Sequence, residues 1–75
     1  MKYDIYQEGF VVMEGHGRAI HLGSAEGETF IDACRNYIKE TGQGEIRVDE
    51  NGNEYAADWG CRWFPTLTEA QKSYG

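Results

Sequence analysis

Apolar residues recur at helical spacing in the middle of the chain. Between residues 30 and 41 they follow one another at intervals of three and four, and the polar residues fall on the opposite side. This spacing predicts an amphipathic helix over 30–41. Thr29, with Asp32 three residues later, is suited to cap its N-terminus, and Gly42 is suited to end it. The side expected to face the core consists of Phe30, Ala33, Cys34, Tyr37 and Ile38.

The N-terminal part of the chain has the alternation of apolar and polar residues that is typical of strands. The apolar face of residues 2–13 changes phase near Gly9, where we expect a bulge. A three-residue loop at 15–17 would close a first hairpin, because a loop of three residues keeps the apolar residues of both strands on one side. A second loop is expected at 23–27. The opposite pairs expected from this register are Phe10 with Leu22 and Val12 with Ile20.

A second hairpin is predicted around Asn51 and Gly52, since this pair favours a type I′ turn between strands at 45–49 and 53–58. The apolar residues then share one face, and Trp59, Cys61 and Trp63 continue it, although Gly60 could bend the strand. The predicted register sets Glu50 opposite Asn53, Val48 opposite Tyr55 and Ile46 opposite Ala57.

A short, two-turn C-terminal helix is predicted after Pro65, where Thr66 and Glu69 form a capping box, and it is expected to end at Gly75. The element order is then ββαββα. This order predicts an α+β fold in which an antiparallel sheet of about four strands packs one face against the long helix.

Composition narrows the class of protein. A chain of 75 residues is one domain, 1–75, and its formal charge of -6 disfavours binding to nucleic acid or to an anionic membrane. Without an apolar run of membrane length or a signal-peptide profile at the N-terminus, we expect a soluble, cytoplasmic protein. Aliphatic residues are few, so five Tyr and two Trp are expected to complete the core.

The most informative polar feature is the outer face of the second hairpin. The predicted register brings like charges opposite one another, Asp49 with Glu54 and Glu45 with Asp58, which destabilises a sheet. We therefore predict an acidic patch that docks on a basic surface of a protein partner. The alternative is a solubilising face that prevents aggregation, with Arg47 offsetting part of the charge. The candidate binding residues are Glu45, Asp49, Glu50, Glu54, Asp58 and Arg62.

The remaining candidate residues are an arginine, the two Trp residues, the two cysteines and the two histidines. Arg62 would share the side of the patch, and one of the two Trp residues could be exposed near it while at least one completes the core. Cys34 and Cys61 are expected to be buried thiols, and the two His residues lack the spacing of a metal site. We predict no cofactor, no metal and no catalytic activity, since no nucleophile or phosphate motif is present.

Three segments resemble small proteins of unassigned function from tailed bacteriophages and prophages. They are Gly27-Glu28-Thr29-Phe30-Ile31-Asp32-Ala33, Trp59-Gly60-Cys61-Arg62-Trp63-Phe64 and Glu69-Ala70-Gln71-Lys72-Ser73-Tyr74-Gly75. The resemblance implies a context in which small acidic phage proteins bind and inhibit a host or defence protein, as anti-CRISPR and anti-restriction proteins do. It implies no active site, because these are core, cap and turn positions.

The expected function is therefore protein binding in the host cytoplasm by a monomer or weak dimer. Two alternatives stay open. One is a structural or assembly protein whose Trp residues make the contact, and the other is a small-molecule binder that uses the sheet face near Tyr6, His21 and Arg62.

Overall fold

Seven strands and two helices form within residues 1–12 and 15–74, the part of the chain that this computed structural model describes. The strands are β1 (Lys2–Gln7), β2 (Phe10–Val12), β3 (Gly15–Gly17), β4 (Ile20–Glu26), β5 (Glu45–Val48), β6 (Glu54–Asp58) and β7 (Cys61–Phe64). The helices are α1 (Phe30–Thr41) and α2 (Leu67–Tyr74). The fold is α+β, as predicted, but its element order is ββββαβββα.

The main sheet is antiparallel and has five strands in the order β4-β1-β7-β6-β5, while β2 and β3 form a separate two-stranded ribbon. The sequence pattern predicts about four strands in this sheet. The additional strand arises because the chain reverses at Trp59 and Gly60, so that β7 turns back along β6 and also pairs with β1. β7 therefore joins the β4–β1 pair to β6 and β5 in one sheet.

Helix α1 has the predicted bounds and the predicted caps. The Thr29 hydroxyl accepts a hydrogen bond from the Asp32 amide at 3.2 Å, and Gly42, at φ 72°, donates its amide to the Ile38 carbonyl at 2.7 Å. These contacts satisfy backbone groups that a helix leaves free at its ends. The helix packs Ala33 and Cys34 against the sheet, and both side chains are fully buried.

The core beneath α1 is small and is centred on one aromatic side chain. Trp63 is 2% exposed, packs edge-on against Tyr37, and donates its indole N–H to the Gln7 side-chain oxygen at 3.1 Å. Gly44, at φ 92°, lies so close to the Trp63 ring that a Cβ there would overlap it. The remaining buried residues of this cluster are Ile5, Ala25, Ala33, Cys34 and Ala56.

The predicted register of the first hairpin is wrong. β1 pairs with β4, with Gln7 opposite Ile20, while the β2 backbone pairs with β3, so that Phe10 lies opposite Gly17 rather than Leu22 and Val12 lies opposite Gly15 rather than Ile20. Residues 15–17 are a strand and not a loop. The register shift falls between Ile5 and Tyr6 instead of at Gly9. Ile20, at the start of β4, is half exposed, so its burial does not fix the register there.

The predicted register of the second hairpin is also wrong, by one residue. Glu45 lies opposite Ala57, Ile46 opposite Ala56 and Val48 opposite Glu54. The like-charge pairs of Asp49 with Glu54 and of Glu45 with Asp58 therefore do not form. The reason is the turn: the Gly52 amide donates to the Asp49 carbonyl at 3.0 Å and Gly52 has φ 83°, as in a type I turn followed by a glycine bulge.

Helix α2 begins at the predicted capping box. The Thr66 hydroxyl accepts from the Glu69 amide at 3.2 Å and donates to the Glu69 carboxylate at 3.0 Å. α2 contacts β7 and β1, with Ala70 fully buried, and Gly75, its predicted end, lies outside the described residues. Of the two helices in the described part of the chain, neither has the length and apolar character needed to cross a membrane.

Candidate functional site

The turn between β6 and β7 has an unusual residue at its tip. Asp58 lies opposite Cys61, and the two residues between them both have positive φ, 53° at Trp59 and 81° at Gly60. A two-residue turn with this backbone is normally built from Asn, Asp and Gly. The left-handed conformation disfavours a residue with a Cβ by about 1–2 kcal/mol. Among the described residues Trp59 is the only one other than glycine with a positive φ.

The Trp59 side chain is also almost completely in water. It is 94% exposed, whereas Trp63 is buried in the core. The prediction that at least one Trp completes the core is therefore confirmed for Trp63. A tryptophan that neither packs nor fits its backbone conformation does not stabilise the fold, so its presence at this position needs another explanation.

Two carboxylates lie beside this turn. Asp58 precedes Trp59, and the Glu8 carboxylate accepts the Arg62 amide at 2.8 Å and the Ser73 hydroxyl at 2.5 Å. Their field reaches Cys61: burial, followed by the negative charges of Glu8 and Asp58, raises the pKa of this thiol. We call Glu8, Asp58, Trp59 and Gly60 the Trp59 surface.

The six predicted site residues do not lie together on one surface. Antiparallel partners share a face, so the observed register turns Glu54 and Asp58 towards the side of α1 and Glu45 towards the other side. Glu54 is bound by the Arg35 guanidinium of α1. Asp49 is used by its own turn, where its carboxylate accepts the amides of Asn51 and Asn53 at 2.8 and 2.9 Å.

Glu50, at the turn, and Glu45, on β5, are both exposed. The docking role of these carboxylates stays a prediction, but the register on which the common acidic patch rested is not present. Only Asp58 of the six belongs to the Trp59 surface. The sequence contained one signal for that surface, the glycine after Trp59, which permits a reversal as readily as a bend.

Arg62, the sixth predicted residue, lines a cleft of about 250 Å³. Its guanidinium lies 4.6 Å from the centre of the Tyr55 ring and 5.8 Å from that of Phe64, within the range of cation–π contacts. β7 pairs with β6 only near their shared turn, at Ala57 with Arg62 and Asp58 with Cys61. The cleft is bordered by Phe30, Ile31, Glu54, Tyr55, Ala56, Arg62, Trp63, Phe64, Pro65 and Glu69.

Both cysteines are free; Cys34 is buried, whereas Cys61 is partly exposed rather than buried as predicted, since it follows the exposed turn. Burial raises the pKa of Cys34 from 9.0 to about 12, so its thiol is protonated at neutral pH. Within residues 1–12 and 15–74, no three His, Cys, Asp or Glu side chains are grouped as a metal site would require.

Comparison of the chain with protein-family models, curated proteins and solved structures finds no match.

Proposed function

We propose that this protein acts by binding another protein, and that Trp59 is the anchor of the contact. One observation carries the proposal: a fully exposed tryptophan is held in a backbone conformation that costs stability. Tryptophan is among the residues that contribute most to binding when an interface covers them. Because the turn has only two residues between paired positions of β6 and β7, little backbone freedom remains to be lost on binding.

The charges around Trp59 indicate the chemistry of the partner. Asp58 directly precedes Trp59, the Glu8 carboxylate lies close enough to the turn for its charge to raise the pKa of Cys61, and the whole chain carries a formal charge of -6. We propose a partner whose surface has an apolar pocket for the indole and Lys or Arg at the rim of that pocket. Opposite charges at the rim speed association more than they strengthen the complex.

The biological role belongs to the same proposal. The resemblance to small phage proteins implies a host or defence protein as the partner, and binding would then inhibit it by covering a basic surface. The predicted acidic patch is replaced here by a smaller contact, because Glu54 is already bound to Arg35 and Asp49 to its own turn.

The first experiment captures the partner through the proposed contact. A photo-crosslinking amino acid with a large aromatic side chain, which can enter the same apolar pocket as the indole, replaces Trp59 in one variant and Lys39, on the exposed side of α1, in a control. In bacterial lysate we expect one protein to be crosslinked from position 59 and not from position 39. Equal labelling from both positions would contradict a contact centred on Trp59.

The second experiment measures affinity for the purified partner. We expect Trp59→Ala to weaken binding about 30-fold or more, which corresponds to a loss of about 2 kcal/mol at a hot spot. Leu67→Ala is the matched control, because Leu67 is an exposed apolar residue on α2, and it should leave the affinity unchanged. Undiminished binding by the Trp59→Ala variant would refute the proposal.

Charge reversal separates regulatory binding from an assembly role. In the proposed complex, Asp58→Lys should slow association and weaken its dependence on salt. A structural or assembly protein that uses only the indole would keep its association rate in this variant and would lose binding in Trp59→Ala. Asp58→Lys therefore distinguishes the two roles by its association rate, whereas Trp59→Ala weakens binding in both.

The cleft beside Arg62 supports a second candidate function, the binding of a small planar anion. An exposed guanidinium stacked on Tyr55 is arranged for such a ligand. In a thermal-shift screen of nucleotides and aromatic acids, a specific ligand at one hundred times its Kd would stabilise the fold by about 2.7 kcal/mol. The shift should be absent in Arg62→Gln, and a screen without any shift removes this candidate.

A further inference from the structure

The two edges of the main sheet differ in how their backbone groups are covered. At the β4 edge, side chains of α1 donate to the outer carbonyls: Asn36 to that of Glu26 at 2.7 Å and Tyr37 to that of Leu22 at 3.4 Å. At the β5 edge, within the residues that the structure describes, no side chain bonds to the strand backbone. An uncovered edge strand is a template for pairing with another strand.

The free backbone groups of β5 can be assigned from its turn. The Asp49 amide donates to the Asn53 carbonyl of the neighbouring strand at 2.9 Å. Backbone groups alternate in direction along an antiparallel strand, so Arg47 and Glu45 also face β6. Ile46 and Val48 therefore direct their N–H and C=O groups away from the sheet. Val48 is 62% exposed, which agrees with an open edge.

We infer that two copies of this chain pair antiparallel through β5. Around a two-fold axis with Ile46 opposite its own counterpart, Glu45 of each copy lies opposite Arg47 of the other. Ile46 provides the outward N–H and C=O that such a central pair exchanges. The sheet then continues through both copies, and the two opposite-charge pairs stabilise the contact.

The charges also select this register over its neighbour. A two-fold axis at position 47 sets Arg47 opposite Arg47 and brings Glu45 opposite Asp49, which are like-charge pairs. A two-fold axis at Val48 would set Arg47 opposite Asp49, but the Asp49 carboxylate is already bound by the amides of Asn51 and Asn53. Among the residues of β5 itself, only the register centred on Ile46 pairs opposite charges. Because β5 has four residues, the contact is small, and we expect a weak dimer that salt weakens further.

Sedimentation velocity of the full chain tests the inference over about 10 μM to 1 mM, the range in which a weak dimer forms. The wild type should change from 8.5 kDa to twice that mass with rising concentration. Glu45→Lys and Arg47→Glu each create two like-charge pairs in the dimer and should weaken it about tenfold or more. The variant with both substitutions restores opposite charges and should dimerise like the wild type.

Mixing gives the sharpest outcome. Glu45→Lys and Arg47→Glu, each impaired alone, should associate with one another, because both cross-strand pairs are then of opposite sign. Lys39→Glu and Glu40→Lys on α1 make the same changes in net charge away from β5 and should dimerise normally. A wild type that stays monomeric at about 1 mM, single variants that dimerise normally, or mixed variants that do not associate would each overturn the inference.

Discussion

Replacing Trp59 by Asn should make this protein more stable. The side chain occupies a left-handed backbone position, φ 53°, that Asn tolerates and that a bulky residue adopts at a cost of about 1–2 kcal/mol. Trp59 gains almost nothing in return, because it is 94% exposed. Most point substitutions destabilise a protein, so the expected sign is opposite to the usual one.

The size of the gain in stability follows from the backbone strain that is relieved and the small burial that is lost. At 94% exposure, about 15 Å² of a roughly 250 Å² side chain is withdrawn from water, worth about 0.4 kcal/mol at 25 cal/mol per Å². If Asn recovers about 1 kcal/mol of backbone strain, the net gain is about 0.6 kcal/mol. In a domain of this size, that gain raises Tm by about 2–5 °C.

Thermal unfolding followed by circular dichroism measures the change without relying on tryptophan emission. Gly60→Ala is the matched control in the same turn: it has open space around it but φ 81°, so Tm should fall by about 4–8 °C, or about 1 kcal/mol. A lower Tm for Trp59→Asn would refute the reasoning, because it would mean that the indole stabilises the fold. A higher Tm together with lost partner binding would attribute the loss to the contact itself.

Three further outcomes follow from the core and the thiols. Gly44→Ala should destabilise the fold by about 2–4 kcal/mol in urea unfolding, since the new methyl group overlaps the ring of Trp63. Gly52→Ala, which has open space around it, should cost only about 1 kcal/mol, and equal losses in the two variants would contradict the overlap. Burial raises the pKa of Cys34 to about 12, so this thiol should resist thiol reagents until the chain unfolds. The free energy of unfolding should also fall as the pH rises from 9 towards 12, because the thiol ionises in the unfolded chain before it ionises in the folded one. Cys61 should react more slowly than a free thiol at pH 8, and Asp58→Asn should speed it by removing a charge that raises the Cys61 pKa; an unchanged rate would exclude that influence.

The parts of the fold that were predictable from sequence are those in which local signals agree. For α1, the apolar spacing, the Thr29 cap and the Gly42 stop all indicate the same bounds, and the structure has them. The capping box of Thr66 and Glu69 behaves in the same way for α2. Each of these signals acts within one or two helical turns and does not depend on distant residues.

Strand pairing was less predictable because more than one turn fits the same residues. Asn51-Gly52 favours a type I′ turn, but the Asp49 carboxylate binds the amides of Asn51 and Asn53 and stabilises a turn one residue longer. The slip turns Glu54 to the side of α1, where Arg35 binds it. That distant ion pair has no counterpart in the local pattern.

The candidate site was missed for a different reason. Tryptophan usually contributes to a core, so the parity of Trp59 and Trp63 predicts one continuous strand face. The positive φ at Trp59 contradicts every local preference of that residue. Departures of this kind are expected where function outweighs stability.

The opposite environments of the two tryptophans supply the molecule with its own optical signal. The water-facing indole of Trp59 emits at longer wavelength than the enclosed indole of Trp63. A partner that covers Trp59 would shift the emission to the blue and shield it from iodide, whereas denaturation would expose Trp63 and shift the emission to the red. Complex formation and loss of structure are therefore distinguishable in one unlabelled sample by the direction of the colour change.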